Sequence, residues 1–170
     1  TGIHLEGLRK IGNPNDLAKK YYSSGVDEII FMDAVASLYD RNNLGDIIKK
    51  ACNDIFVPIT VGGGIRTLSD ISNALNSGAD KVAINTQGVK DPNFIVEAAR
   101  EFGSQCIVGS IESKKTKSGN WEAYVDNGRE PTGLDAIEWA VRLESLGAGE
   151  IMLTSVAVSY THLRAHETEE

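Results

Sequence analysis

Three glycines in a row, Gly62-Gly63-Gly64, follow the apolar segment Pro58-Ile59-Thr60-Val61 and precede a helix start at Thr67. Glycine lacks a Cβ, so a ligand can approach such a loop closely and φ can take either sign. Backbone N–H groups near a helix start favour anions, which makes the loop a seat for a phosphate. A second apolar segment, Lys81-Val82-Ala83-Ile84, ends in Asn85-Thr86, an amide and a hydroxyl able to serve the same anion. Acids stand at two other segment ends. Asp33 follows Ile29-Ile30-Phe31-Met32 and suits a substrate hydroxyl or a proton transfer, while Glu112 follows Ile107-Val108-Gly109-Ser110-Ile111 and suits general acid–base work. Thr154 closes a fifth segment and is a candidate substrate contact.

These residues need elements that bring segment ends together. Short continuous apolar runs, Glu28–Met32, Val57–Val61, Lys81–Ile84, Cys106–Ile111 and Glu150–Leu153, suit strands buried on both faces of a parallel sheet. Helices between them are punctuated by their caps. Asn13-Pro14 opens one that Gly25 closes, Asn43 caps another near 44–54, and Thr67 with Asp70 forms a capping box before Gly78. Asp91-Pro92 opens a helix that Gly103 stops, and Thr132 with Asp135 opens one that Gly147 stops. The junctions Gly25-Val26-Asp27-Glu28, Gly78-Ala79-Asp80-Lys81 and Gly147-Ala148-Gly149-Glu150 repeat a helix–Gly–strand pattern, the mark of repeated βα units. The expected fold is α/β, a partial (β/α)8 barrel whose working residues stand at the C-terminal strand ends. Residues 113–131 break the rhythm and read as an inserted β-hairpin closing at Asp126-Asn127-Gly128, with Arg129-Glu130 a solvated charge pair at its end.

Composition narrows the function classes. The 170 residues are 41% hydrophobic and 24% charged, ordinary for a globular chain with one core. A formal net charge of −7 argues against a nucleic-acid binder or an anionic membrane surface, though backbone amides can still hold a phosphorylated substrate. No apolar run reaches the ~18 residues of a membrane span, and the start has no signal pattern, so the expected location is cytoplasmic. Cys52 and Cys106 read as buried free thiols, and Trp121 and Trp139 as packing residues. His4, His162 and His166 lack the spacing of a metal set, so neither a metal nor an organic cofactor is expected.

Several motifs together resemble one family. They are Thr60–Arg66, Gly78–Thr86, Phe102–Val108, Gly128–Gly133 and Gly147–Ser155. In this order they are similar to the cyclase subunits of imidazole glycerol phosphate synthase, the HisF family, across about residues 3–156. The resemblance implies a (β/α)8 barrel of histidine biosynthesis that uses ammonia from a glutaminase partner. Its substrate is a phosphorylated aminoimidazole carboxamide ribonucleotide, and no cofactor takes part. It implies that Gly63, Gly64, Asn85 and Thr86 hold one substrate phosphate and that Asp33 lies near the substrate. Glu112 falls where the family has one of two catalytic aspartates; the other would lie on a first strand that the resemblance places before the visible ones. Glu28, Lys81 and Glu150 match a charged ring at the lower barrel end where ammonia enters, and with Asp80 they form the expected partner surface.

On this reading residues 1–156 are an incomplete phosphate-binding barrel, strands two to six without the first and last. Residues 157–170 lose the family pattern and read as a non-native tail. An open barrel with two free edges is expected to associate and to be inactive by itself. Glutamate at 112 keeps two alternatives open: a paralogous cyclase-like subunit in sugar amidation for surface polysaccharide, and a non-catalytic subunit that binds a glutaminase.

Overall fold

The computed structural model of the chain describes residues 13–32 and 44–156. Asp33, the Asn43 cap, the three histidines and residues 157–170 lie outside the described residues. In chain order the elements are α1 (Pro14–Ser23), β1 (Ile29–Met32), α2 (Leu44–Asp54), β2 (Ile59–Gly62), α3 (Leu68–Asn76), β3 (Lys81–Ile84), α4 (Thr86–Lys90) and α5 (Asn93–Phe102). A 3-10 turn (Ser104–Cys106), β4 (Ile107–Lys115), β5 (Trp121–Val125), β6 (Glu130–Asp135), α6 (Ala136–Leu146) and β7 (Glu150–Ser155) follow.

The helix boundaries follow from their caps. Asn13 Oδ1 accepts the Asn15 N–H at 2.9 Å, with Pro14 at the first helical position. At α3 the Thr67 hydroxyl accepts the Asp70 N–H at 3.1 Å, and Asp70 Oδ2 accepts the Thr67 N–H at 2.9 Å, a complete capping box. The last helix begins later than the sequence suggests. Asp135 is its cap, accepting from Ile137 and Glu138, whereas Thr132 lies in β6 and donates to the Ala123 carbonyl at 2.6 Å. A side chain already bonded across a strand pair is not free to cap.

Five strands run parallel in the order β1-β2-β3-β4-β7, and β5 and β6 extend the sheet antiparallel from β4. The sheet is open: among the described residues β1 pairs only with β2, and β7 only with β4. Alternation sorts each strand onto two faces. Ile59, Val61, Val82, Ile84, Ile107 and Ile111 join one buried cluster with Ile48, Ile71, Ile95 and Leu143 from the helices. Burying each such side chain contributes about 1.5–3 kcal/mol, so this layer outweighs any surface ion pair. The opposite face carries Thr60, Lys81, Ala83, Val108, Ser110 and Glu112, the set that leads to the site.

The inserted hairpin is larger than expected. β4 continues through Lys115, past the boundary at Ile111 that its apolar run implies, and is itself the first strand of a three-stranded meander. Cys106 sits in the 3-10 turn, outside the strand, and both thiols are half-buried instead of buried. Trp139 is buried and Trp121 half-buried, as packing residues should be. Edge and neighbouring surfaces leave Ile137, Val141 and Leu153 well exposed.

The capping box gives a direct check. Thr67→Ala should lower unfolding stability by about 1 kcal/mol and Thr67→Ser should leave it near wild type, both read from urea denaturation midpoints.

Candidate functional site

The ends of β2, β3 and β4 open into one cleft of about 290 Å³. Gly63, Gly64, Asn85, Thr86 and Glu112 all line it. Five residues from three separate segments are thus brought together by strand register alone. Gly63 and Gly64 have φ of 91° and 75°, a consecutive left-handed pair that residues with a Cβ rarely adopt. This turns the chain sharply at the head of β2 and lays its backbone along the cleft wall.

Asn85 and Thr86 stand where β3 passes into α4. The Asn85 amide donates to Glu112 Oε2 and to the Tyr124 carbonyl, both at 3.3 Å, and makes no cap to its own helix. The Thr86 hydroxyl accepts the Asp126 N–H at 3.1 Å. Glu112 is half-buried, and its carboxyl is held above the ordinary glutamate range chiefly by loss of water. A hydrogen bond from the Gly128 backbone pulls the other way, and the nearby charge of Asp126 adds to the rise. A carboxyl raised in this manner is fit to exchange protons nearer neutrality than a solvated one.

Thr154 is paired in register with Glu112 across the β4–β7 ladder. It is exposed and is not among the residues lining the cleft, and its carbonyl accepts the Ser113 hydroxyl at 3.3 Å. Met32, at the end of β1, also lines the cleft, so that strand end reaches it as well.

Some lining residues were not read from the sequence. Ser110 shares the Glu112 face by strand alternation, which could have found it. Lys90 lies one helical turn beyond Thr86, and Gln87 and Arg66 flank the two loops. Arg129 and Glu130 are both exposed, as a solvated pair should be, but they serve other neighbours. Arg129 Nη2 binds Asp126 Oδ2 at 2.8 Å, and Glu130 lines the cleft with Asp126.

At the other end of the strands lies a second charged group. Lys81 Nζ is 3.1 Å from Glu28 Oε1 and 2.6 Å from Glu150 Oε1, and the Thr60 hydroxyl donates to Glu28 Oε1 at 2.8 Å. The Thr60 hydrogen bond, aided by Lys81, lowers the Glu28 pKa, and the Glu150 hydrogen bond raises that of Lys81. Asp80 neighbours these residues in the sequence but plays a different part. Its Oδ2 accepts the Ile59 N–H at 2.8 Å and fixes the start of β2.

Comparison with known proteins assigns the chain to a family. A family model described as histidine biosynthesis protein matches residues 1–159. The imidazole glycerol phosphate synthase subunit HisF of Legionella pneumophila is 58% identical over 155 residues, which cover 91% of this chain and 73% of that protein. A match over nearly the whole chain, on a parallel sheet with a glycine-loop cleft at its strand ends, shows that this chain belongs to the histidine biosynthesis protein family.

Proposed function

We propose that this protein is the cyclase subunit of imidazole glycerol phosphate synthase, acting in histidine biosynthesis. The 58% identity to a HisF subunit supports it. The observation that carries it is the single cleft uniting Gly63, Gly64, Asn85 and Thr86 with Glu112. In this reading the glycine backbone and the Thr86 hydroxyl grip one phosphate of the aminoimidazole carboxamide ribonucleotide. Glu112 moves protons as ammonia adds and the imidazole ring closes. Asp33 and Thr154 complete the substrate contacts, and the chemistry needs no cofactor.

The open sheet is then part of a (β/α)8 barrel, with β1, β2, β3, β4 and β7 as its strands two to six. Five parallel strands with helices packed on one face support this. The unpaired edges and the exposed Leu153 support the expectation that the 170-residue chain by itself associates and turns over little. The protein works in the cytoplasm, and no helix among the described residues is long and apolar enough to cross a membrane.

Lys81, Glu28 and Glu150 form the ammonia passage from a glutaminase subunit, which docks on the strand starts beside Asp80. A lysine paired with two carboxylates at the starts of three neighbouring segments is a charged ring that can admit a small neutral molecule while excluding ions. Glutamate at 112, one methylene longer than the family's aspartate, is the feature that favours the sugar-amidation alternative. Turnover of the aminoimidazole nucleotide with ammonia decides between the two substrates.

With the full-length gene product and its partner, Glu112→Gln should cut ammonia-dependent turnover by about 100-fold or more while substrate still binds. Glu112→Asp should keep a substantial share. Because burial raises the Glu112 carboxyl, the acidic limb of the pH–rate profile should lie above the ordinary glutamate range and vanish in Glu112→Gln. The same shift makes ionised Glu112 a cost to folding. Glu112→Gln should therefore be more stable than wild type above the folded-state pKa, with the difference fading as pH falls through it, as read from denaturation midpoints across pH. Lys81→Met should lower glutamine-dependent turnover relative to turnover with added ammonium, since only the former needs the passage. Equal losses in both assays would speak against the ring as a passage.

A further inference from the structure

The turn between β5 and β6 is built in an unusual way. Asp126, Asn127 and Gly128 have φ of 54°, 57° and 73°, three left-handed residues in succession. Among the described residues, Asp126 and Asn127 are the only non-glycines with positive φ. Residues other than glycine rarely adopt this conformation, and Asp and Asn adopt it more readily than the rest.

The bonds that hold this turn lead into the cleft. The Asp126 N–H donates to Thr86 Oγ1 at 3.1 Å. The Asn85 amide bridges the Tyr124 carbonyl, just before the turn, and Glu112 Oε2. The Gly128 backbone bonds the Glu112 carboxylate. Arg129 fastens the turn to itself, with Nη2 on the Asp126 carboxylate at 2.8 Å and Nε on the Asp126 carbonyl at 3.0 Å. The turn therefore touches both the group read as an anion ligand and the group read as a proton carrier.

A threonine hydroxyl has one proton to donate and two lone pairs that accept. With Asp126 N–H on a lone pair, the hydroxyl proton remains available to an anion in the cleft. An anion that accepts it polarises the hydroxyl and strengthens the bond it receives, since chains of hydrogen bonds reinforce one another and charged acceptors make the stronger bonds.

We propose that the Asp126–Arg129 turn is a positioning latch, in which phosphate bound at Thr86 tightens the Asp126–Thr86 bond and so fixes Glu112 through the turn and Asn85. Seating the anion then sets the acid in place. This rests on the phosphate reading of the cleft and adds a coupling that the reading does not require.

Amide hydrogen exchange on the full chain with and without inorganic phosphate tests it, with phosphate binding measured separately by calorimetry. The Asp126 and Gly128 amides should slow by about fivefold when phosphate is present. Thr86→Ser should keep this response. Thr86→Val, similar in size but without the hydroxyl, should lose it even where its circular dichroism matches wild type. A merely structural role for Thr86 would change exchange equally with and without phosphate. If phosphate binds and neither amide responds, the latch is wrong and the phosphate site stands. If Asp126 slows and Gly128 does not, the link to Glu112 is wrong. If phosphate fails to bind, the latch and the phosphate site fall together.

Discussion

Strand β4 is the member on which the rest of the molecule depends. Nine residues long, it pairs with β3, β5 and β7. Its two-residue alternation meets two opposite demands. Ile107 and Ile111 face the helices and are 0% and 1% exposed. Val108, Ser110 and Glu112 face the other way, and Glu112 falls at the level where β3 has ended and α4 begins. A shift of one residue would bury the acid among isoleucines and expose an isoleucine to the cleft. The apolar face of β4 is therefore what fixes the height of the carboxylate.

Close approach of α6 to this strand has its own requirement. A Cβ at Gly109 would stand 2.8 Å from Leu143 Cδ1 and 3.0 Å from Ile151 Cδ1. The small residue lets the helix and β7 both reach β4. The charged group at the strand starts is less demanding energetically, since its members are partly exposed and solvent screens them. Its interest lies in placement: Lys81 and Glu150 open β3 and β7, Glu28 immediately precedes β1, and the three meet at one point beneath the cleft.

Much of this was legible in the residues because local signals agreed with one another. Continuous apolar runs marked the parallel strands, and Asn13-Pro14 and the Thr67–Asp70 pair marked helix starts that bonds confirm. Strand ends then named the cleft residues Gly63, Gly64, Asn85, Thr86 and Glu112 without any knowledge of their distances. What escaped was non-local or disguised. Ser113-Lys114-Lys115 is polar and lies beyond the apolar run that ends at Ile111, yet it continues the same strand, because pairing with β5 satisfies its backbone. Thr132 looked like a cap because its cross-strand bond to Ala123 has no local signature. The reach of Asp126 to Thr86 spans forty residues and belongs to no periodic pattern.

The meander hangs from the sheet along one side only, and its two bends differ in kind. The outer bend at Ser118-Gly119-Asn120 is exposed, and its hydrogen bonds run among residues 116–120. The inner bend is tied to Asn85, Thr86 and Glu112. Natural variation or a designer can therefore lengthen, shorten or tag the outer bend freely, while the inner one must keep its residue count, making this hairpin a graft site with one permissive end and one forbidden end.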